Sequence, residues 1–233
     1  MSELSIEYLD WDSQLFDYPV GLILNPSRID LKSVQDKIGP YRLVYLKSKE
    51  KLNTPFFEDV KVSFRLDVTI LIKREVSIEG QVESYSGQNL IELISLAMES
   101  GKFSRFKLDR NFNGLEFEQL YFQWIINSLK KKIADEVLLI RIDHEIAGFI
   151  TLKLNEIDCE IGLIATSPKH QRMGVGRGLI NSATRFALTR GKGLLSVPTQ
   201  LSNINAMNFY RKMGFVEVNR TYIYHIWNHE YCI

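Results

Sequence analysis

Apolar and polar side chains alternate along the first third of the chain, which indicates strands joined by turns. The clearest alternation runs over 60–72 and predicts a strand with one buried face. Shorter apolar runs predict strands at 18–24 and 42–47, with a short helix at 30–38 between them. We therefore expect residues 1–75 to form a small α/β domain.

The apolar spacing changes beyond this point to the three- and four-residue steps of amphipathic helices. The polar stretch 76–87, which contains several serines and glycines, is predicted to be a linker. A second domain is expected over 88–233. Its first predicted elements are a helix at 88–99, a loop at 102–113, a helix at 116–132 and a hairpin of strands at 137–142 and 146–154 that turns at Asp143-His144.

A short sequence with two glycines, Q-R-M-G-V-G at 171–176, separates a predicted buried strand at 161–165 from a helix-period segment. A chain that passes from strand to helix in this way presents unpaired backbone N–H groups at the start of the helix. Those donors and the positive end of the helix dipole suit a pyrophosphate. Gly174 and Gly176 would let phosphate oxygens approach the backbone, and Arg177 adds charge. The alternative is a tight turn that binds nothing.

A second motif, N-x-x-A-x-x-F-Y-x-x-x-G-F, begins at Asn203. It predicts a helix that is capped by Asn203 and ended by Gly214, and a last strand at 221–227. Ahead of it, a strand at 194–197 is predicted to end at Pro198. Packing explains the cap and the glycine, but packing does not require a tyrosine at position 210.

The composition is that of a globular protein with a sizeable core, since 45% of the 233 residues are hydrophobic and 24% are charged. A net charge of +1 without a long basic run argues against a nucleic-acid partner. Cys159 and Cys232 have no metal-binding spacing around them, so no metal is expected. Because neither a signal peptide nor a membrane-spanning run is visible, we expect a cytoplasmic protein without a membrane partner.

The two motifs and the order of strands and helices around them resemble the GCN5-related N-acetyltransferases (GNAT) over about residues 85–228. The resemblance implies the GNAT fold, an α/β fold whose mixed, mostly antiparallel sheet is flanked by helices and splays at the acyl-CoA site. It would occupy 88–233, and the segment 1–75 would add a smaller N-terminal α/β domain.

Sequence outside the two motifs is similar to one branch of this superfamily, the dTDP-fucosamine acetyltransferases. That branch also carries an extra N-terminal α/β domain. The similarity implies transfer of an acyl group from acyl-CoA to the amine of a dTDP-linked amino-dideoxy sugar for cell-surface polysaccharide. The matching stretches are Leu15-Phe16, Ser104-Arg105-Phe106, Phe122-Gln123-Trp124-Ile125, Ile161-Gly162-Leu163 and Thr199-Gln200.

The resemblance also implies the roles of individual residues. Tyr210 would be the general acid that protonates the leaving thiolate. Glu160 would be the general base, although this branch is expected to take its base from the N-terminal domain, where Ser63, Arg65 and Asp67 supply no clear match. Acyl-CoA, a co-substrate, would contact Ile164, Ala165, Thr166, Gln171, Arg172, Met173, Gly174, Val175, Gly176 and Asn203, and the sugar nucleotide would contact Arg105, Phe106, Tyr121 and Trp124.

Several alternatives stay open at the level of sequence. The acceptor could be a protein amine or another small amine, and the chain could be a silent acyl-CoA-binding module. Tyr121 and Trp124 could simply belong to the packed face of their helix, and Arg105 could be solvated. The position of the acylated amine, the acyl group and a homodimer formed through the last strands are also undecided.

Overall fold

The computed structural model describes residues 5–25, 34, 36–69 and 81–231. In this part of the chain, ten strands form one mixed sheet with helices on both faces. The strands are β1 (Glu7–Tyr8), β2 (Val20–Leu24), β3 (Leu43–Ser48), β4 (Phe57–Asp67), β5 (Gln81–Ser84), β6 (Glu136–Ile142), β7 (Glu145–Leu154), β8 (Cys159–Thr166), β9 (Leu194–Gln200) and β10 (Val216–Trp227). The helices are α1 (Asp10–Phe16), α2 (Leu90–Ser100), α3 (Arg105–Leu108), α4 (Leu115–Leu129), α5 (Val175–Thr189) and α6 (Ile204–Lys212).

The strand order is β1-β2-β3-β10-β4-β9-β8-β7-β6-β5. The last strand, β10, therefore lies between β3 and β4, and it pairs antiparallel with both. Strands from the first 67 residues and strands from the second half of the chain thus belong to one sheet. Of the predicted linker, residues 81–84 form the edge strand β5, which pairs with β6. The division of the chain at 75 and 88 stays a prediction.

Helices cover the two faces of the sheet with separate apolar clusters. On the first face, α1, α2 and α4 pack on β3, β6, β7 and β8. On the second face, α5 and α6 pack on β4, β7, β8 and β9. The α/β fold with a large mixed sheet, as predicted from the sequence, is confirmed.

Most predicted elements are present within a few residues of their expected limits. The hairpin turns at Asp143 and His144, both with positive φ, as a two-residue loop requires. The predicted loop at 102–113 contains the short helix α3. The predicted helix at 30–38 and the end of the strand predicted at 60–72 lie mostly outside the described residues.

One expectation about the end of a strand is wrong. Pro198 does not end its strand, because β9 continues to Gln200 and Pro198 lies opposite Ser63 of β4. The missing N–H is tolerated here because β8 has already diverged from the other side of β9. Residues 222–225 of β10 pair with strands on both sides, so this part of the last strand has no unpaired backbone edge, and homodimer formation stays a prediction.

The sheet opens between β8 and β9, two parallel neighbours in its centre. They pair only at Cys159–Leu195 and Glu160–Ser196. Beyond those residues β8 continues along β7 as far as Thr166, and β9 continues along β4 as far as Gln200. The splay that the resemblance implied is therefore present, and it creates a gap whose walls are strand backbone.

Candidate active site

A main cleft of about 450 Å³ occupies the gap between β8 and β9 and extends over the first face of the sheet. Its walls come from β4, α2, α3, α4, β8, β9 and the start of α6. Eight of the predicted site residues line it, namely Arg105, Phe106, Tyr121, Trp124, Glu160, Ile164, Asn203 and Tyr210. Residues predicted separately as catalytic, acceptor-binding and coenzyme-binding thus meet in one cavity.

The backbone of β8 presents free donors to this cleft. A bulge near Gly162 lets the N–H of Leu163 donate to the Thr151 hydroxyl on β7 at 2.8 Å, and the N–H of Ser167 donates to the Ala147 carbonyl at 2.8 Å. Because successive amides of a strand point in opposite directions, the N–H groups of Ile164 and Thr166 point away from β7, into the opening. An N–H there can donate to a carbonyl oxygen that gains charge in a transition state.

Gly162 contributes to this geometry through its lack of a side chain. A Cβ at this position would lie 2.9 Å from the Thr151 hydroxyl oxygen, which is the atom that accepts the Leu163 N–H. The glycine therefore permits the contact that holds the bulge, and the bulge in turn aims the amides beyond it. Neither effect is visible in the sequence without the register of β7 and β8.

A second cavity, the loop groove, lies at the start of α5 and measures about 380 Å³. Gly174 has a φ of 84° and precedes the helix as its N-cap, without a side chain that occupies the first-turn N–H groups. Six predicted residues line the groove, namely Thr166, Gln171, Arg172, Gly174, Val175 and Gly176, together with Arg177, Phe209, Lys212 and Met213. Free amide donors and three basic side chains at a helix start suit a pyrophosphate.

Two predicted coenzyme residues line neither cavity in the described part of the chain. Ala165 is buried against the cluster on the first face. Met173 is partly exposed beside the loop groove. Successive side chains of a strand point to opposite faces, and the neighbours Ile164 and Thr166 line the cavities. This alternation explains why the Ala165 side chain lines neither cavity.

Tyr210 lies in the main cleft on the inner face of α6. Its ring packs against Phe64, Phe209 and Phe215, with centroid distances of 5.5–5.8 Å. Burial raises its pKa, so the phenol keeps its proton at neutral pH. Asn203 caps the same helix, since its side-chain oxygen accepts the Ala206 N–H at 3.2 Å. The side chain predicted as an acid is thus protonated and held by packing.

Glu160 lies at the point where β8 and β9 part. It pairs with Ser196 of β9, and its carboxylate accepts a hydrogen bond from the Asn155 side chain at 3.5 Å. The residue is exposed and lines the main cleft, so a water molecule could connect its carboxylate to a bound amine. This geometry is compatible with a general base that acts through water.

The acceptor end of the cleft is built around Arg105. Its guanidinium carbon lies 4.2 Å from the ring centroid of Phe106 and 5.0 Å from that of Tyr45. The Nε of Arg105 is buried and has no protein partner. Tyr121 and Trp124 are in edge contact at 5.0 Å and form the neighbouring wall. An arginine held between two rings presents its remaining N–H groups in a fixed direction.

Sequence reasoning missed a buried hydrogen-bond network behind this wall. Asp109, which follows α3, is 3% exposed, and its carboxylate accepts the His225 Nδ1–H at 2.7 Å and the Trp227 indole N–H at 2.8 Å. The Asn111 N–H and side chain donate to the other oxygen. Burial opposes ionisation, but these bonds lower the pKa of Asp109 to about 2. The network ties the Arg105 segment to β10, and nothing local in the sequence indicates it.

Lys61 of β4 is a further lining residue that was missed. The alternating pattern over 60–72 contained the signal, because it placed the polar positions 61, 63 and 65 on one face. Ser63 and Arg65 lie on that face opposite Pro198 and Ser196 of β9. Asp67 instead accepts hydrogen bonds from Thr69. None of the three supplies a carboxylate that lines the cleft.

The splayed sheet, the protonated tyrosine and the groove at a helix start are the features expected of an acyltransferase that binds a thioester between two strands. Comparison with known families agrees, because residues 103–215 match the model of the acetyltransferase (GNAT) family. The chain therefore contains a GNAT domain, and this domain is of the N-acetyltransferase class. Among the described residues there is no cluster suited to a metal ion and no helix long and apolar enough to cross a membrane.

Individual relatives extend the similarity beyond that domain. The chain is 27% identical over 220 residues to the dTDP-fucosamine acetyltransferase of Escherichia coli O6:H1. The aligned region covers 90% of this chain and 92% of that enzyme. It is 24% identical over 135 residues to the spore coat polysaccharide biosynthesis protein SpsD of Bacillus subtilis, over 58% of this chain and 46% of SpsD.

Solved structures show the same fold. A conserved protein of unknown function from Staphylococcus epidermidis superposes with a TM-score of 0.73 at 13% identity, over 98% of this chain and 92% of that one. A GCN5-related N-acetyltransferase from Sphaerobacter thermophilus superposes with a TM-score of 0.56 at 11% identity, over 89% of this chain and 73% of that one. At these identities the likeness concerns the fold.

Proposed function

We propose that this protein transfers an acyl group, with acetyl as the default, from acyl-CoA to the amine of a dTDP-linked amino-dideoxy sugar used for cell-surface polysaccharide. One observation carries the proposal. A match to the dTDP-fucosamine acetyltransferase over 90% of the chain necessarily includes β3 and β4, and β4 contributes Lys61 to the acceptor end of the cleft. The similarity therefore covers the walls that we propose bind the acceptor as well as the proposed coenzyme loop.

The chemistry of the cleft supports this acceptor class. A nucleotide-linked amino sugar offers an anionic diphosphate, an aromatic base and a hexose that carries the amine. The cleft offers an arginine stacked on aromatic rings and further aromatic walls in Tyr121 and Trp124. Arginine forms paired hydrogen bonds with phosphate oxygens. We expect the anionic part of the acceptor to lie at Arg105 and its amine to point towards the opening between β8 and β9.

In the proposed reaction, the thioester carbonyl lies in the opening with its oxygen on an outward N–H of β8, at Ile164. A sugar amine should titrate near the roughly pH 8 of an α-amino group, so little free energy is needed to deprotonate it. Glu160 accepts that proton through water. The amine nitrogen attacks the carbonyl carbon and then loses its second proton to water, the C–S bond breaks, and Tyr210 donates its proton to the leaving sulfur. A phenolate left on Tyr210 regains its proton from solvent.

Thiol release from acetyl-CoA tests the proposal, measured with a panel of dTDP-linked 3-amino and 4-amino dideoxyhexoses. Turnover on one of them supports the proposal and identifies the amine. The same panel with longer acyl-CoAs defines the acyl group, because each methylene changes discrimination by about 1–3 kcal/mol. Binding of acetyl-CoA without turnover on the panel would reject a nucleotide-sugar acceptor and would favour a peptide or another small amine.

A further inference from the structure

Three basic side chains converge on one patch of the first face of the sheet. Lys47 of β3 lies beside Ile223 of β10, and Lys61 of β4 lies beside Thr221, so the two lysines flank the last strand two residues apart. The alternation of strand side chains places Lys47 on the same face as Tyr45, whose ring lies under the Arg105 guanidinium. The three positive charges therefore face one another across β10.

This arrangement is unfavourable in the free protein. Burial, together with the charges of Arg105 and Lys61, lowers the pKa of Lys47. Among the described residues, none of the three cations forms an ion pair with a carboxylate, whereas the neighbouring Lys51 pairs with Glu58 at 3.2 Å. Like charges that are held together without a direct ion pair to a carboxylate are stabilised when an anion binds between them.

Three carboxylates lie near the patch, since Glu7 and Asp12 both favour the charged form of Lys47, and Asp59 lies beside Ile223 on the other side of β10 from Lys47. Burial raises the pKa of Asp12 and of Asp59, and the charge of Arg105 partly opposes both effects. Asp12 accepts a hydrogen bond from the Tyr45 hydroxyl at 3.3 Å. Burial disfavours the charged forms of Asp12 and Asp59, and among the described residues none of the three acids forms an ion pair with Lys47, Lys61 or Arg105.

The patch lies at a useful distance from the reaction centre. Lys61 and Arg105 both line the main cleft, as does Val197, the first residue of β9 beyond its last pair with β8 at Ser196. Lys61 pairs with Gln200, three residues beyond Val197. At about 3.3 Å per strand residue, this separation is about 10 Å. One hexose ring with its glycosidic oxygen fits between an amine at the opening and a phosphate at the patch.

We infer that Lys47, Lys61 and Arg105 form a subsite for the diphosphate of a nucleotide-linked acceptor, an inference that rests on the proposed function. The other source of such an anion is coenzyme A. The loop groove supplies separate donors for the coenzyme, with Arg172, Arg177 and Lys212 on the far side of the opening. The diphosphate at the patch therefore belongs to the acceptor, and the lysines select nucleotide-linked sugars over free sugars.

Isothermal titration calorimetry of the full chain with dTDP, dTMP, thymidine and acetyl-CoA tests this subsite without any turnover. Lys47→Gln and Lys61→Gln should each weaken dTDP binding roughly tenfold, as expected for a lost charge-assisted contact. Thymidine and acetyl-CoA affinities should be unchanged. Lys49→Gln is the matched control, because Lys49 is an exposed lysine just beyond β3. Thermal melts of all variants report whether the fold is intact.

Each outcome of the titrations either supports or rejects the diphosphate subsite. Selective loss of dTDP affinity in both lysine variants supports the subsite. Unchanged dTDP binding, equal loss for dTDP and thymidine, or loss of acetyl-CoA affinity overturns it, as does a failure of the unmodified protein to bind dTDP. If dTDP binds through the lysines but no dTDP-amino sugar is acylated, the subsite stands and the proposed function fails.

Discussion

The buried pair of His225 and Asp109 predicts a defined loss of stability in acid. His225 is 1% exposed, and burial lowers its pKa to about 4, despite the hydrogen bond to Asp109 that favours the charged form. In the unfolded chain its pKa returns to about 6.5. Between these values the unfolded state binds a proton that the folded state does not bind. The contribution of His225 to the free energy of unfolding is therefore fully present above about pH 6.5. It is lost as the pH falls from about 6.5 to about 4.

The magnitude follows from the two pKa values. A histidine whose pKa falls from 6.5 to about 4 on folding contributes on the order of 3 kcal/mol that is lost by pH 4. Asp109, with a folded-state pKa of about 2, adds a second loss of stability below about pH 4. The acid limb of the stability curve should therefore begin well above the range in which carboxylates titrate.

His225→Asn isolates this contribution, because the asparagine amide can replace the Nδ1–H donor to Asp109 but does not titrate. The variant should be less stable at pH 7, since it loses the ring contacts with Tyr45 and Phe57 at 5.1–5.2 Å. Urea unfolding at intervals from pH 7 to pH 4 gives the free energy of unfolding of both proteins. The difference between them should shrink by on the order of 3 kcal/mol over that range. A difference that stays constant with pH would refute the reasoning.

Three further substitutions give separate readouts. Tyr210→Phe should lower turnover on the order of 10²- to 10⁴-fold in steady-state assays while acetyl-CoA affinity, measured by calorimetry, stays nearly intact; unchanged turnover would remove Tyr210 from the mechanism. Gly148→Ala would place a Cβ 2.7 Å from Val175 and 2.8 Å from the Ala165 carbonyl oxygen, so α5 must shift; denaturant unfolding should show a loss of about 1–3 kcal/mol. Asn203→Ala removes the cap of α6 and should cost about 0.5–2 kcal/mol by the same measurement; no change would mean that the cap is not needed.

The coenzyme half of the site could be predicted from the sequence because its determinants are local. The loop that ends in Gly174 and the helix capped by Asn203 are set by backbone conformations that only a few residue types favour. The strands on either side are apolar runs long enough to recognise. In such segments the order of residues already fixes the direction of the N–H groups.

The acceptor half depends on contacts between distant segments, which the sequence does not reveal. The pairing of Asp109 with His225 joins residues 116 positions apart. The placement of β10 between β3 and β4 is what brings Lys47 and Lys61 to one patch. Periodicity predicted that these strands exist, but it carries no information about their neighbours in the sheet. A cytoplasmic location and homodimer formation stay predictions.

The central claim is that the acceptor is a nucleotide-linked amino sugar. Its most direct test is the ratio of kcat/KM for a dTDP-linked amino sugar to kcat/KM for the same amino sugar without the nucleotide, with acetyl-CoA saturating. The account predicts a large preference for the dTDP-linked sugar that shrinks in Lys61→Gln. Equal kcat/KM for the two acceptors, or turnover on the free amino sugar alone, would contradict it.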